Sequence, residues 1–567
     1  MSSQNIVVIG GSAAGPKAAA RAKRINAAAN VILLQKAPEL SMASCGYPYF
    51  IGGGFDDRNQ LLCTPTGVVR NEAFFAAAKR VDARVNTEVT AIDRSAKTVA
   101  CVNVLSGETG TVSYDKLILC TGASPRRPPV PGADLDGVRS LSTMHDADTL
   151  RALRDSGEVR DVLVVGGGLI GIEVCEALAE SGMNVHVVEM LPQLLTFLDW
   201  EMAKLVEKHV VSKGVTVHTE NGVAEFLGEN GRLTGARLKD GSVISCNLAV
   251  VSIGVTPNAG LAREAGLDIG EFGGIVVDEH MRTSDPAIYA AGDCVEISHR
   301  ITGRKVHAPY GDLANLEARV AADNMVLGDT AVFPGTVNSG ICKVFDLSAG
   351  STGLSERQAL AEGYEVVTAT NASPDKPGFM GAKLLVSKMV ADARTGRVLG
   401  FQCVGPGEVN RQMAEAAMAV MNGNTVRDIG VADLPYAPPF SLAIDHFITT
   451  AHILENKMAG RMTGIRNAEV KERVDAGGAP FILDVRAPGE FEEMRLDIGE
   501  TLIPLGMLGK SLDKLPQDKD AEIVAFCKIS MRGYEAQRAL EAHGWNNVKV
   551  MEGGIMAWPF AVKQGCR

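Results

Sequence analysis

Short apolar runs bounded by glycine set the character of the first third of the chain. Residues 6–9 are apolar, break at Gly10-Gly-Ser-Ala-Ala-Gly15, and give way to an Ala/Arg/Lys-rich stretch to about residue 25; residues 31–34 are apolar again. An uninterrupted apolar run of this length predicts a buried strand, and the longer mixed stretch a helix, so the segment is a strand–turn–helix–strand unit. The pattern recurs at 162–165, Gly166-Gly-Gly-Leu-Ile-Gly171, a helical stretch to about 181, and 185–188. Two widely separated copies predict two α/β domains, not a stacked repeat. Strand-like segments near 116–120, 248–253 and 274–277 fit the sheets of those domains.

The periodicity changes around residue 336. Segments 341–345, 364–370, 383–390 and 398–404 predict antiparallel strands, 408–421 a helix, and the whole an α+β domain. Residues 456–466 have little pattern and read as a linker, and a small α/β unit follows with strands near 481–485, 523–526 and 548–551. The expected boundaries are a discontinuous first domain (1–113, 114–150 and 258–333), a second at 151–257, a third at 334–455 and a fourth at 467–567. The fold class is α/β, with two Rossmann-like domains, an α+β domain and a C-terminal α/β domain.

Composition narrows the class of activity. The 567 residues carry a net charge of −11, which opposes general nucleic-acid binding because that needs a positive field. No apolar run is long enough for a transmembrane helix, and no signal peptide is expected. The 11 cysteines are scattered and never spaced C-x-x-C, which predicts neither a disulfide scaffold nor a zinc site and points to a reducing cytoplasm. No metal is expected.

Glycines at a strand-to-helix turn let the backbone approach a pyrophosphate, and the helix N-terminus stabilises its charge. Gly166, Gly168 and Gly171 satisfy G-x-G-x-x-G in full, after a strand and before a helix. Glu189 ends the next strand, where a carboxylate accepts from a ribose 2′-hydroxyl and repels a 2′-phosphate, so NADH is the expected nucleotide. In the first unit Gly10 and Gly15 fit, but Ser12 holds the middle place, and Gln35 stands where the acidic residue would be.

Downstream, Tyr114-Asp-Lys-Leu-Ile-Leu-Cys-Thr-Gly-Ala-Ser-Pro125 and Ile288-Tyr-Ala-Ala-Gly-Asp293 follow in order. With the N-terminal unit, they resemble the FAD-binding domain of the flavin disulfide reductases with two dinucleotide folds. The resemblance implies FAD on Gly10, Ser12, Ala14, Gly15, Gln35, Lys36, Thr121, Gly122 and Asp293, with Asp293 on the ribityl chain. It implies NADH on Gly166, Gly168, Gly171, Glu189 and Gly254, with Glu173 near flavin and nicotinamide. It also covers Leu434-Pro-Tyr-Ala-Pro-Pro-Phe440, part of a dimerisation domain, and hence implies a homodimer.

Cys45 lies in Ser41-Met-Ala-Ser-Cys-Gly-Tyr-Pro-Tyr-Phe-Ile-Gly52. A thiol exposed beside a cofactor is a candidate nucleophile. The segment resembles the loop of the single-cysteine branch: coenzyme A-disulfide reductases, NADH oxidases and NADH peroxidases. Phe50 stands where a second cysteine would be, so Cys45 is expected to cycle as a mixed disulfide, persulfide or sulfenic acid. The resemblance further implies Tyr436 as a donor to the partner subunit's thiol site, and coenzyme A on Arg21, Arg24, Ser41 and Ser44. The coenzyme A-disulfide reductases carry a second Tyr, in whose place Gly378-Phe-Met-Gly381 has none.

Leu483-Asp-Val-Arg-Ala-Pro-Gly-Glu-Phe491, Cys527-Lys-Ile-Ser-Met-Arg532 and Glu552-Gly-Gly-Ile-Met-Ala-Trp558 resemble a rhodanese domain. A cysteine opening a tight strand-to-helix loop faces several backbone N–H groups, which stabilise a thiolate or persulfide. Arg532 is expected to close that loop with Asp484 or Glu490. The fusion points to FAD- and NADH-dependent reduction of persulfide, polysulfide or coenzyme A persulfide at Cys45, with Cys527 carrying sulfane sulfur. Three alternatives stand beside it: a coenzyme A-disulfide reductase, an NADH oxidase or peroxidase, and a sulfurtransferase relay with a regulatory flavin module.

Overall fold

The computed structural model describes residues 4–565, so Cys566 lies outside it. The chain forms two compact units, one running up to Met190 and including Asn221–Thr336, the other comprising Leu191–Glu220 and everything from Val337 on.

In the first unit, five parallel strands stand in the order Ile288–Ala290, Lys116–Leu119, Asn5–Ile9, Asn30–Leu34 and Asp82–Arg84. The apolar residues of the first strand are buried on both faces, as a parallel sheet covered by helices requires. The helices Ala14–Ile25 and Gly311–Leu327 pack together in the same core. A second parallel sheet contains Asn184–Val188, Asp161–Val165, Leu248–Val251 and Val138–Arg139. The strand Ile288–Ala290 thus returns the chain, after the second nucleotide fold, to the edge of the first sheet.

The second unit contains an antiparallel sheet in the order Gly340–Val344, Leu347–Gly353, Val398–Gly405, Leu384–Asp392 and Val366–Pro374. Helices Val409–Asn422 and His446–Met458 pack on it. Leu191–Glu220 is grouped with this unit by compactness. One physical reason is Lys388. Its ammonium is buried and needs compensation, and Asp199, Glu201 and Glu356 supply it at 3.1, 2.5 and 2.6 Å. The three carboxylates hold the Lys388 pKa above its ordinary value despite burial.

The C-terminal part is a parallel sheet in the order Gly464–Ile465, Val548–Met551, Ile523–Phe526, Phe481–Asp484 and Thr501–Leu502. Residues 456–466 are therefore more ordered than the expected linker. The helix His446–Met458 runs into the segment and Gly464–Ile465 is already a sheet strand. The polar residues there hid both ends, because a two-residue edge strand carries no readable alternation.

Candidate functional site

The two glycine turns have one construction. Gly10 and Gly166 have φ of +103° and +105°, a region that favours glycine. A Cβ on Gly15 would lie 1.8 Å from the Gly10 carbonyl oxygen, and one on Gly171 2.0 Å from that of Gly166. Close helix–strand packing therefore demands glycine at both positions. In each unit the residue ending the second strand locks the turn: the Gly11 N–H donates to Gln35 Oε1 at 2.8 Å and the Gly167 N–H to Glu189 Oε2 at 2.8 Å. Gln35, standing where an acidic residue would be, holds the loop through its amide oxygen. The helices Ala14–Ile25 and Leu169–Glu180 begin without a side-chain cap, so their first N–H groups face the turn. Nothing lies within 4 Å of a Cβ built on Gly168. Uncapped helix ends behind open glycine turns fit the pyrophosphates of two dinucleotides.

Around these turns, Ala14 is buried and Ser12 exposed. Lys36 pairs with Glu88 at 2.8 Å on the surface. Thr121 Oγ1 donates to the Asn258 carbonyl at 2.6 Å, while Gly122 and Gly254 take φ of +69° and +96°. Asp293 is half-buried, and burial raises its carboxyl above the ordinary range. His307 Nε2 lies 2.8 Å from the Asp293 carbonyl. Behind it, Glu317 is buried and accepts from the Gly292 N–H at 2.7 Å; burial lifts its carboxyl to about 8. Glu317 had no sequence signal, since it sits among alanines in a helical stretch.

Cys45 is exposed in the one-turn helix Ser44–Gly46, which leads into Tyr47–Ile51. Ser44 is exposed, and Ser41 takes a left-handed φ of 53°. A Cβ on Gly311, first residue of the helix Gly311–Leu327, would lie 3.7 Å from Cys45 Sγ. That helix N-terminus favours a thiolate. Partial burial opposes it, as do the carboxylates of Glu173, Asp293 and Asp312, and the thiol pKa is raised. Glu173 is itself lifted to about 7 by burial, although the Tyr49 hydroxyl donates to its Oε1 at 3.3 Å. The structure therefore brings Cys45, Glu173 and Asp293 into electrostatic contact.

Of the basic helix residues, Arg21 is engaged by Asp323 through two bonds of 2.5 and 3.0 Å. Arg24 is exposed. In the second unit Tyr436 is 52% and Phe379 79% exposed.

Cys527 follows the strand Ile523–Phe526, and the helix Met531–Ala542 opens across the loop. Arg532 reaches Glu490 with two bonds of 2.7 and 2.8 Å and is in electrostatic contact with Cys527. The guanidinium holds the Glu490 carboxyl down at about 2. Asp484, the other expected partner, instead forms a fully buried pair with Arg486 at 2.6 Å. Ser530 closes the loop at φ +88°, a strained value for a residue with a side chain.

Residues 4–310 match the model of the pyridine nucleotide-disulphide oxidoreductases. The chain belongs to this family. Residues 340–447 match the family's dimerisation domain and 466–560 a rhodanese-like domain. An NAD(P)H coenzyme A polysulfide/persulfide reductase of Pyrococcus horikoshii is 34% identical over 454 residues, covering 80% of this chain and 98% of that protein. An NAD-dependent persulfide reductase from A. fulgidus superposes with a TM-score of 0.93 at 39% identity, covering 98% of this chain and all of the other. The reduced Bacillus anthracis CoADR-RHD superposes with a TM-score of 0.91 at 33% identity, covering 98% of each chain. Membership makes the chain an oxidoreductase of FAD and NAD(P)H type, fused to a rhodanese-like domain. Among the described residues, no helix is long and apolar enough to cross a membrane, and no His/Cys/Asp/Glu group could hold a metal ion.

Proposed function

We propose that this oxidoreductase reduces persulfides and polysulfides, coenzyme A persulfide included, at Cys45, and that its rhodanese-like domain carries sulfane sulfur on Cys527. One observation carries the reading: a single chain holds an exposed thiol, Cys45, beside two dinucleotide cradles, and a second cysteine, Cys527, in a strand-to-helix loop near Arg532. Relatives spanning the reductase part and the whole chain bear persulfide-reductase names, which supports it.

The Gly10–Gly15 turn, Thr121, Gly122 and Asp293 would hold FAD, and Gly166, Gly168, Gly171 and Gly254 would hold NADH; the flavin would supply the redox chemistry between the nucleotide and sulfur at Cys45. The net reaction is R–S–SH + NADH + H⁺ → R–SH + H₂S + NAD⁺. Glu173 titrates near neutrality and is suited to hold the proton this reaction consumes. Glu189 disfavours a 2′-phosphate, which supports NADH over NADPH. Arg24 is open to a coenzyme A phosphate, whereas Arg21 must first leave Asp323. Tyr436 and Phe379 are exposed as expected of groups that meet a second subunit in a homodimer. The scattered cysteines, never spaced C-x-x-C, support a reducing cytoplasm as the proposed compartment.

The test is anaerobic NADH oxidation by the yellow holoenzyme with polysulfide, coenzyme A persulfide or coenzyme A disulfide. Sulfide release with the first two and slow turnover of the third is expected. Phe379 offers no hydroxyl where disulfide reductases have a Tyr, and a persulfide has the better leaving group. Fast turnover of the disulfide alone would replace this reading with a thiol-pool enzyme.

A further inference from the structure

Glu552 ties the Cys527 loop to the dimerisation domain. Its side chain is buried at the end of the strand Val548–Met551. The carboxylate accepts from the Thr370 N–H at 3.0 Å and pairs with Lys457, whose ammonium also donates to the Thr368 carbonyl at 2.5 Å. Thr370 lies in the strand Val366–Pro374 and Lys457 in the helix His446–Met458. On its other side, Glu552 starts the turn that supports the loop. The Ile555 N–H donates to the Cys527 carbonyl at 3.0 Å, and the Met556 N–H to the Lys528 carbonyl at 3.2 Å. A Cβ on Gly554 would lie 2.4 Å from the Cys527 carbonyl oxygen, so the turn is pressed against the loop. Holding these two carbonyls outward fixes which way the neighbouring peptide planes face, and hence where the loop N–H groups point. A cavity of about 10 Å³ beside Thr370, Asn467 and Glu552 has room for one water. The Asn467 Oδ1 has no protein partner to take it up.

We propose that Glu552 and Lys457 are positioning residues for sulfur transfer at Cys527, so that the dimerisation domain sets the geometry of the persulfide loop. Neither residue touches the sulfur. The inference rests on the reading of Cys527 as a sulfur carrier. A persulfide at that loop forms when the Cys527 thiolate attacks the outer sulfur of a donor, breaking the donor's S–S bond. An acceptor nucleophile then takes the outer sulfur and returns the thiolate. With thiosulfate and cyanide, the products are sulfite and thiocyanate.

Thiosulfate:cyanide transfer by the full-length holoenzyme is the assay, with NADH:polysulfide turnover measured alongside. Lys457→Met removes the cation from outside the rhodanese-like fold, and Glu552→Gln keeps the shape but not the charge. Both are expected to lower kcat for transfer about tenfold, the scale of a small misplacement in a reacting site. The KM for thiosulfate and the NADH:polysulfide rate should stay unchanged. Lys457→Arg should restore most of the transfer rate. Unchanged transfer in both Lys457→Met and Glu552→Gln would overturn the inference. A rise in KM with constant kcat would do so too, since it would signal donor binding in place of loop geometry. Cys527→Ser separates the two levels. Transfer that survives in this variant, or is absent from the wild type, would remove the sulfur-carrier reading itself.

Discussion

Replacing Tyr49 by Phe isolates the group that tunes Glu173, the carboxyl that acts most strongly on the Cys45 thiol. Burial raises the Glu173 carboxyl from 4.5 to about 7, and the hydrogen bond from the Tyr49 hydroxyl is the contribution that restrains the rise. A donor to a carboxylate stabilises the charged form, so its removal must raise the pKa further. The bond is 3.3 Å long and Tyr49 is 40% exposed, so water replaces part of it. A full bond to a charged group contributes about 1.5–3 kcal/mol, and a long, wetted one roughly 0.7–1.4 kcal/mol, or about half to one pH unit. The assay is the pH dependence of kcat for anaerobic NADH:polysulfide turnover. The wild type should show a limb near 7, Tyr49→Phe should move it alkaline by that amount, and Glu173→Gln should abolish it. An acid shift in Tyr49→Phe, or a limb that survives in Glu173→Gln, refutes the assignment of Glu173 as the titrating group.

Two further outcomes concern stability. His446 is fully buried, with its ring nitrogens 2.6 Å from Ser373 Oγ and 2.8 Å from Ser387 Oγ, and burial lowers it to about 4. The unfolded chain, with a histidine near 6.5, then binds more protons between the two values. Stability should therefore be full above about pH 6.5 and fall by roughly 3 kcal/mol as pH drops toward 4. Chemical denaturation from pH 7.5 to 4.5 would measure this, and His446→Gln should lose that pH slope. Ser530→Gly relieves the φ of +88° and gives up only a 3.4 Å bond to the Met551 carbonyl. It should stabilise the C-terminal domain by about 1 kcal/mol, read from the urea midpoint of Trp545 and Trp558 fluorescence; a lower midpoint would contradict the strain.

What the sequence made legible was local. A full G-x-G-x-x-G between a strand and a helix, a lone cysteine in a Gly/Pro-rich loop, and a cysteine opening a strand-to-helix turn are each contained within a few residues. What it hid depends on partners far along the chain. Arg21 read as a free cation because Asp323 belongs to a distant helix. The buried ammonium of Lys388 draws Asp199 and Glu201 into a unit that the pattern of 191–220 does not announce. Glu552 stood out in the sequence only as the start of Glu552-Gly-Gly-Ile-Met-Ala-Trp558, yet it is clamped by Lys457 and the Thr370 backbone. Periodicity reports which side of an element is buried. It does not report which charge will find which.

Cys45 and Cys527 have different charged neighbours, in keeping with the proposed division of labour. Around Cys45 stand Glu173, Asp293 and Asp312, which disfavour a standing negative charge on sulfur. An anionic sulfur there would be disfavoured by the same carboxylates. The Gly311 helix end is the counterweight that still permits a thiolate to form and attack. The Arg532 guanidinium, fixed by Glu490, is in electrostatic contact with Cys527. The proposed division of labour thus places the carried sulfur beside this cation and the reduced sulfur beside the three carboxylates. Reversing the sign at one site, with Arg532→Glu, should shorten the lifetime of the Cys527 persulfide without altering reduction of small polysulfides at Cys45.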